Sequence, residues 1–480
     1  MSQPEAEQPD PTGVKTEAPG GAAIPPPPQH LSVTQHHAVG RSFRKTLPRE
    51  AHAEWLAPTG RTSPVDILEQ QAASRLPDLV PVRYGRMLAS PFAFFRGSAA
   101  IMAMDLATLP RTQLTVQLCG DAHLMNFGVF GSPERQMLFD INDFDETLPG
   151  PFEWDLKRLT ASIVLAGRAN GFSARECRIS VLSASAAYHE AMQRLAQLGT
   201  LATWYTHVTI DDVTSLLQDG KARRRASAWI ARARSNTSMR ALEKLTHVVD
   251  GSRQIVHAPP LIERLEAEGG HAEDIARFKR GLHEYRHTLP PDRRHLFDQF
   301  QPMDIARKVV GVGSVGTRCY IIMFEGKSID DPLFLQVKEA QASVLEPYLG
   351  RSQYRDSGER VVVGQRRMQA ASDIFLGWYR GAEDRDFYVR QLQDLKGSVP
   401  VESVTPTGLS LYGRICGSTL ARAHARTGDS IQIAAYLGRS VAFEEAVATF
   451  AEAYADQTER DYAELVAAHK SGRIQALLAA

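Results

Sequence analysis

The sequence predicts an α+β protein with two lobes, one helical and one rich in strands, and additional helices. Three observations predict it. First, Val116 to Glu146 alternates short β-type runs with turns built on Gly, Pro and Asp. Second, a later group of β-type runs, from Ile305 to Val337, is broken by glycines. Third, most of the remainder has helical spacing. Near the end, Phe443, Val447, Phe450 and Tyr454 fall at i, i+4, i+7 and i+11, a stripe suited to a core.

Composition bounds the answer further. The chain has 480 residues, enough for two to three domain-sized units. Hydrophobic residues make up 43% and charged residues 23%, as in ordinary globular proteins. Fifty-five basic and 55 acidic residues cancel, so no global field recruits nucleic acid or an anionic membrane. Cys119, Cys177, Cys319 and Cys416 are far apart and form no C-x-x-C. That pattern suits reduced thiols in a cytoplasmic protein, not a disulfide frame or a zinc site. No signal-peptide pattern and no run of 18 apolar residues is seen, so no membrane span is expected.

Residues 1–40 are rich in Pro, Gln, Glu, Ala and Gly, with four prolines at 25–28, and read as a disordered tail. A helical lobe is expected over 41–300, beginning with a helix from Asp66 to Leu76. Arg96 follows Phe94-Phe95 just ahead of an Ala/Met-rich helical segment. It could meet a phosphate or a carboxylate, or pair with Asp105 or Asp155.

The central stretch carries the chemistry. A strand from Leu114 to Cys119 breaks at Gly120, then come Asp121 and, five residues on, Asn126. A second strand, Met137 to Ile141, delivers Asn142, Asp143 and Asp145. Strand ends and tight turns on a rigid scaffold can aim such groups. Phosphoryl transfer needs this set: one carboxylate to orient and deprotonate a hydroxyl, and an amide and a carboxylate to hold Mg²⁺.

Beyond Pro149-Gly150-Pro151, a helix is expected from Trp154 to Ala166. Leu156, Leu159, Ile163 and Val164 share one face, and Asp155 lies in the first turn. Lys221 to Lys244 carries eight basic residues and one acidic one, and reads as a solvated helix face, with a substrate-facing basic groove as the alternative. Residues 246–300 are mixed and punctuated by Pro pairs, which places a boundary near 300.

A β-rich lobe over 301–400 should follow. Its Gly311-x-Gly313-x-x-Gly316 loop contains Ser314 and is followed by Cys319 to Phe324, which is β-branched and aromatic. A dinucleotide fold would place a helix there. Strand, glycine loop and strand instead form the phosphate-covering hairpin of protein kinases, and Lys338 ends the next strand, where a kinase grips phosphate. Helices around 339–349 and 359–371 and strands around 375–379 and 387–392 follow. Residues 401–480 read as helices that pack on the helical lobe.

Catalytic loop and glycine loop therefore occur in the reverse of the kinase order, which a circular permutation resolves. The helix Leu411 to Ala425, with His424, resembles the helix that precedes the catalytic loop of aminoglycoside phosphotransferases and would close the permuted order. His424 itself reads as a packed or surface side chain.

The segments SPFAFFRG, GDAHLMNFG, FDINDFDETLPGPFEWDLKR, VVGVGSVGTR, QVKEA and AYADQTERDYA resemble an uncharacterised bacterial family, the domain of unknown function 2252. The resemblance covers about residues 40–475. It implies the protein-kinase-like fold, in which Asp121 resembles the catalytic Asp. Asn126 and Asp143 resemble the metal ligands, Gly311, Gly313 and Gly316 the glycine loop with Ser314 inside it, and Lys338 the phosphate-binding Lys. Asp155 resembles a structural Asp of aminoglycoside kinases. The chain departs from the pattern in three places. Cys119 stands where His is expected. D-F-D replaces D-F-G, which makes Asp145 a further metal ligand. The Glu partner of Lys338 is open between Glu346 and Glu359.

The expected activity is transfer of the γ-phosphoryl of Mg-ATP to a hydroxyl of a small molecule or protein. AMP transfer by the same fold and non-catalytic ATP binding are the alternatives.

Overall fold

The computed structural model describes residues 31–217, 220–250, 252–265, 272–392 and 395–477. The protein is a mixed α+β fold, 53% helical and 15% strand. Its strands are β1 (Thr115–Leu118), β2 (Phe127–Gly131), β3 (Met137–Ile141), β4 (Leu148–Pro151), β5 (Thr246–Val249), β6 (Ser252–Ile255), β7 (Ile262–Arg264), β8 (Gln301–Lys308), β9 (Cys319–Glu325), β10 (Pro332–Ala340), β11 (Gly377–Arg380) and β12 (Asp386–Gln391). Among the described residues, β1 pairs β4, β2 pairs β3 and β5 pairs β6. The other six form one sheet in the order β11-β12-β10-β9-β8-β7. Every pairing in that sheet is antiparallel.

Both faces of the six-stranded sheet are covered, which explains its near-continuous apolar strands. Side chains alternate faces along a strand. Ile322 and Phe324 of β9 join a cluster with Leu282, Tyr285 and Phe297 of the helices Ala272–Thr288 and Pro291–Phe297. Ile321 and Met323 join Ala241, Leu242 and Leu245 of the helix Ser238–Leu245 on the other face. The helix Ser357–Met368 lies between β10 and β11 in the chain, with Val361 and Val362 in the large core.

The helical part is built on close packing of the helices Ala174–Leu195 and Pro406–Ala425. Ser173 and Glu176 close a capping box at the start of the first. Gly417 lets the second approach: a Cβ there would overlap the Ala184 carbonyl. The stripe Phe443, Val447, Phe450 and Tyr454 is buried on the helix Ala442–Lys470, as the spacing predicts. The helix Glu153–Ala169 differs from expectation. It is buried all round, so Lys157, Arg158, Thr160 and Ser162 enter the core beside the apolar face.

Several expected boundaries move. The tail expected over 1–40 is too long, because Ser32 caps a helix, Val33–Thr46. Gly40 sits against Gln432 and Ala435, and a side chain at that position would prevent the contact. Residues 1–30 lie outside the described residues. The boundary expected near 300 is also late. β7 pairs β8, and Tyr285 donates a hydrogen bond to the Phe375 carbonyl, so part of 252–300 belongs to the sheet. The helix expected over 339–349 is one short turn, Glu346–Leu349, because β10 runs on to Ala340. The basic stretch forms the helices Gly220–Arg234 and Ser238–Leu245, with Arg223, Arg224 and Arg225 exposed as a solvated face requires. All four cysteines are buried and free. No described helix is long and apolar enough to cross a membrane.

Candidate functional site

Asp121 sits in the turn after β1, at a point where Gly120 takes φ +84 and a Cβ would overlap the Glu146 carbonyl. Asp155 braces this turn. Its carboxylate accepts the amides of Cys119 at 2.8 Å and Gly120 at 3.0 Å. His424 is fully buried, with Nε2 3.3 Å from Asp155 and Nδ1 2.9 Å from the Tyr188 hydroxyl. It is thus the packed side chain the sequence suggests, one step removed from the cleft.

Asp121 itself accepts from Arg158 Nε at 2.5 Å through Oδ1. Its Oδ2 lies 3.7 Å from His123 Nε2. His123 Nδ1 accepts the Met125 amide, which assigns the ring proton to Nε2, on the Asp121 side. Burial pushes the Asp121 carboxyl up, against the pull of Arg158. Burial and the nearby Arg96 and Arg158 keep His123 neutral. Asn126 donates its amide to the Asp121 carbonyl at 2.6 Å, which leaves its Oδ1 as the available ligand atom.

Asp143 and Asp145 follow β3. Lys338, on β10, reaches Asp145 Oδ2 at 2.6 Å and lies 4.0 Å from Asp143 Oδ2. Asp145 Oδ1 accepts the Tyr388 hydroxyl at 2.5 Å, and Ser314 is 3.3 Å from Oδ2. Burial would raise the Asp145 carboxyl, but Lys338 beside it holds it below the usual range. Burial and the neighbouring Asp145 push Asp143 up. Burial would lower the Lys338 ammonium, yet the two carboxylates hold it well above its ordinary value.

These contacts answer the open question of the lysine's partner. Neither Glu346 nor Glu359 meets Lys338: Glu346 accepts the Ser343 amide, and Asp145 takes the counter-ion place. The helix Ser357–Met368 contributes a buried Arg360 instead, which donates to the carbonyls of Asp145, Thr147 and Gln341. Asp145, suggested by the sequence as a metal ligand, has one oxygen on Lys338 and the other on Tyr388.

The glycine loop between β8 and β9 is held by the N-terminal helices. Arg86 donates to the Gly311 carbonyl. Arg75 donates to the carbonyls of Gly313 at 2.9 Å and Val315 at 2.5 Å. The Leu76 amide donates to the Gly316 carbonyl at 2.8 Å. Gly311 and Gly316 both take positive φ. With the carbonyls tied back, the amides of Gly313 and Ser314 have no hydrogen-bond partner among the described residues.

Asp121, Asn126, Asp143, Asp145, Gly311, Gly313 and Ser314 line one open cleft. Gly316 stands behind it against Arg75, and Lys338 reaches it through Asp145. Arg75, Arg83, Arg96, Glu146 and Glu339 complete much of the wall. Arg96 meets neither suggested aspartate. Asp105 is bound by Arg61 and Tyr454, and Asp155 by the amides above. Sequence reasoning missed Arg83, and it missed Arg75, Arg158, Arg360 and Tyr388, whose partners lie far off in the chain; only the DLKR of the family segment flagged Arg158 at all.

The donor set suits Mg²⁺ with a phosphate-bearing ligand. Among the described residues no three His, Cys, Asp or Glu side chains gather as a metal cage. Mg²⁺ is commonly held by one or two carboxylates together with substrate phosphates and waters. Asp143 and Asn126 Oδ1 offer hard oxygen ligands, and free loop amides offer donors to phosphate.

Neither the curated proteins nor the solved structures searched contain a match to this chain. The sequence profile described as "Uncharacterized protein conserved in bacteria (DUF2252)" matches residues 75–468, and the chain belongs to that family.

Proposed function

We propose that the protein is an ATP-dependent phosphotransferase with a protein-kinase-like, circularly permuted fold. One observation carries the reading. Lys338 and the glycine loop come from the six-stranded sheet, Asp121, Asn126 and Asp143 from a distant part of the chain, and they converge on one cleft. Two further features support it. The sheet runs strand, glycine loop, strand, Lys strand, helix and two more strands, the succession expected of a kinase nucleotide lobe. The end of the helix Pro406–Ala425 also abuts β1, where Thr427 accepts the Gln117 amide at 3.1 Å. Joining those points restores the kinase order.

In this reading the amides of Gly313 and Ser314 bind phosphate, with Lys338 behind them. Asp143 and Asn126 hold Mg²⁺, which neutralises charge on the phosphates when bound. Asp121 accepts a hydrogen bond from the acceptor hydroxyl and takes its proton, and Arg158 and His123 fix the carboxylate's orientation.

A second reading, non-catalytic nucleotide binding, is favoured by one feature: the helix Ser357–Met368 offers Lys338 no Glu. Product analysis decides. Parent protein with Mg-ATP and a panel of hydroxyl acceptors should release ADP. Pyrophosphate would indicate AMP transfer. Binding without turnover across the panel would favour the non-catalytic reading.

A further inference from the structure

We infer that Arg75, Arg83 and Arg96 form a binding site for an anionic group, a phosphate or a carboxylate, distinct from Lys338 and the glycine-loop amides. This deepens the phosphotransferase reading, on which its role rests, but the binding itself is testable alone.

Arg83 and Arg96 come from the N-terminal helices Val80–Met87 and Pro91–Arg96, Arg75 from the turn before them, and all three line the same cleft as Asp121. Each keeps guanidinium N–H groups without a partner. Arg83 is 1% exposed, and its Nη2 donates to Gln71 at 2.9 Å and to the Gly97 carbonyl at 3.0 Å. Its Nε and Nη1 are buried and unpaired. Arg75 spends Nη1 on the glycine loop, and its Nε is unpaired. The Arg96 side chain makes no hydrogen bond among the described residues, and its Nε is buried. Guanidinium groups do not lose their proton, so burial cannot be relieved by neutralisation. A buried donor left unmade is costly, and those of Arg75, Arg83 and Arg96 gather in one cleft.

No carboxylate on the same wall forms a hydrogen bond or ion pair with these three arginines: Asp143 accepts the Asp145 amide at 3.2 Å and lies 4.0 Å from Lys338, and the other four are engaged elsewhere. Asp121 is held by Arg158. Asp145 is held by Lys338 and Tyr388. Glu146 accepts the Val344 amide at 2.7 Å. Glu339 is shared by Arg318 and Arg385. The wall thus holds arginine N–H groups that its own carboxylates do not take up. A forked, two-oxygen anion matches the fork of an arginine. Such a group belongs either to an acidic acceptor, for example a sugar phosphate or a carboxylate, or to the nucleotide's own phosphate chain.

The test uses the full chain and inorganic phosphate as probe, titrated calorimetrically against chloride at matched ionic strength. Parent protein should bind phosphate, and Arg96→Gln and Arg83→Gln should each weaken binding at least tenfold. Arg83 is buried, so circular dichroism checks its variant. If that variant does not fold, Arg96→Gln carries the test. No phosphate binding by the parent, or unchanged affinity in Arg96→Gln, overturns the inference. Repeating the titration with saturating Mg²⁺ and a non-hydrolysable ATP analogue assigns the source. Retained phosphate binding points to the acceptor, and competition points to the nucleotide. Phosphate binding without any Mg-ATP binding would sink the phosphotransferase reading alone. Turnover without phosphate binding would sink this inference alone.

Discussion

Replacing Asp145 by Asn separates a buried charge pair from a surface lysine. Lys338 is 2% exposed, 2.6 Å from Asp145 and 4.0 Å from Asp143. Removing one member of a buried ion pair typically costs about 3–5 kcal/mol, because the other charge stays buried. Two features soften the loss. Asn keeps an oxygen for Lys338 or Tyr388, and Asp143 stays within reach, where two unit charges at this spacing are worth about 4 kcal/mol at an effective dielectric near 20. The expected cost of Asp145→Asn is therefore at the low end, about 3 kcal/mol. Lys338→Met should cost somewhat less, because the two carboxylates it leaves are partly exposed and keep the Tyr388 and Ser314 hydroxyls and Arg390 nearby. The double variant no longer carries an unmatched pair, so its cost should fall short of the sum by at least about 1.5 kcal/mol. Urea midpoints of the four proteins, read by far-UV circular dichroism, give the coupling. Single losses that add to within about 0.5 kcal/mol would refute the buried pair and the counter-ion role of Asp145.

Other outcomes follow from the same contacts. Burial pushes the Glu146 carboxyl up from 4.5 to about 7, so the fold favours its acid form. Its contribution is fully present below about pH 4.5 and is lost as pH rises through about 7. Glu146→Gln mimics the acid and should stabilise the protein by up to about 3 kcal/mol at pH 8 and by less at pH 5; equal melting shifts at both pH values would contradict this. Gly417→Ala should destabilise by about 1–3 kcal/mol, because its methyl meets the Ala184 carbonyl on a facing helix; an unchanged melting temperature would show that the helices yield freely. Asp155→Ala strands two buried amides and should cost at least about 2 kcal/mol. A variant that keeps parental thermal stability would remove the brace from the account.

The catalytic stretch was legible because its signals are local. A strand, a glycine and a fixed D-x-x-x-x-N spacing place Asp121 and Asn126 in one turn, and the five residues Met137–Ile141 form the strand read from their pattern. The sheet strands were legible for the same reason, since β-branched and aromatic runs bounded by turns need no distant information. What stayed hidden depends on the chain folding back. Arg75 and Arg86 meet loop carbonyls more than 200 positions away, and nothing near them in sequence marks the partner. The kinase pattern places the counter-ion of Lys338 on a helix, whereas it stands in the D-F-D turn, where two acids already supply the charge. The helix at Ser32 was hidden by the Pro-rich composition before it, though Ser32 and Gln35 form a capping box. The all-round burial of Glu153–Ala169 was hidden because periodicity reports only the apolar face, whereas Arg158 is buried through its partner Asp121.

The most direct measurement of the central claim compares Mg²⁺-dependent ATP binding and turnover in parent, Asp121→Asn, Asn126→Ala and Asp143→Asn, with circular dichroism as the folding control. Each variant should lose turnover by orders of magnitude, and the losses should not add in combination, as for parts of one assembly. Binding should divide them. Asp121→Asn keeps the ligands for Mg²⁺ and should bind Mg-ATP like the parent, Asp143→Asn should show the greatest loss of Mg²⁺ dependence, and Asn126→Ala should fall between. Full turnover by a folded Asp121→Asn protein, or parental Mg²⁺ dependence in Asp143→Asn, would contradict the account.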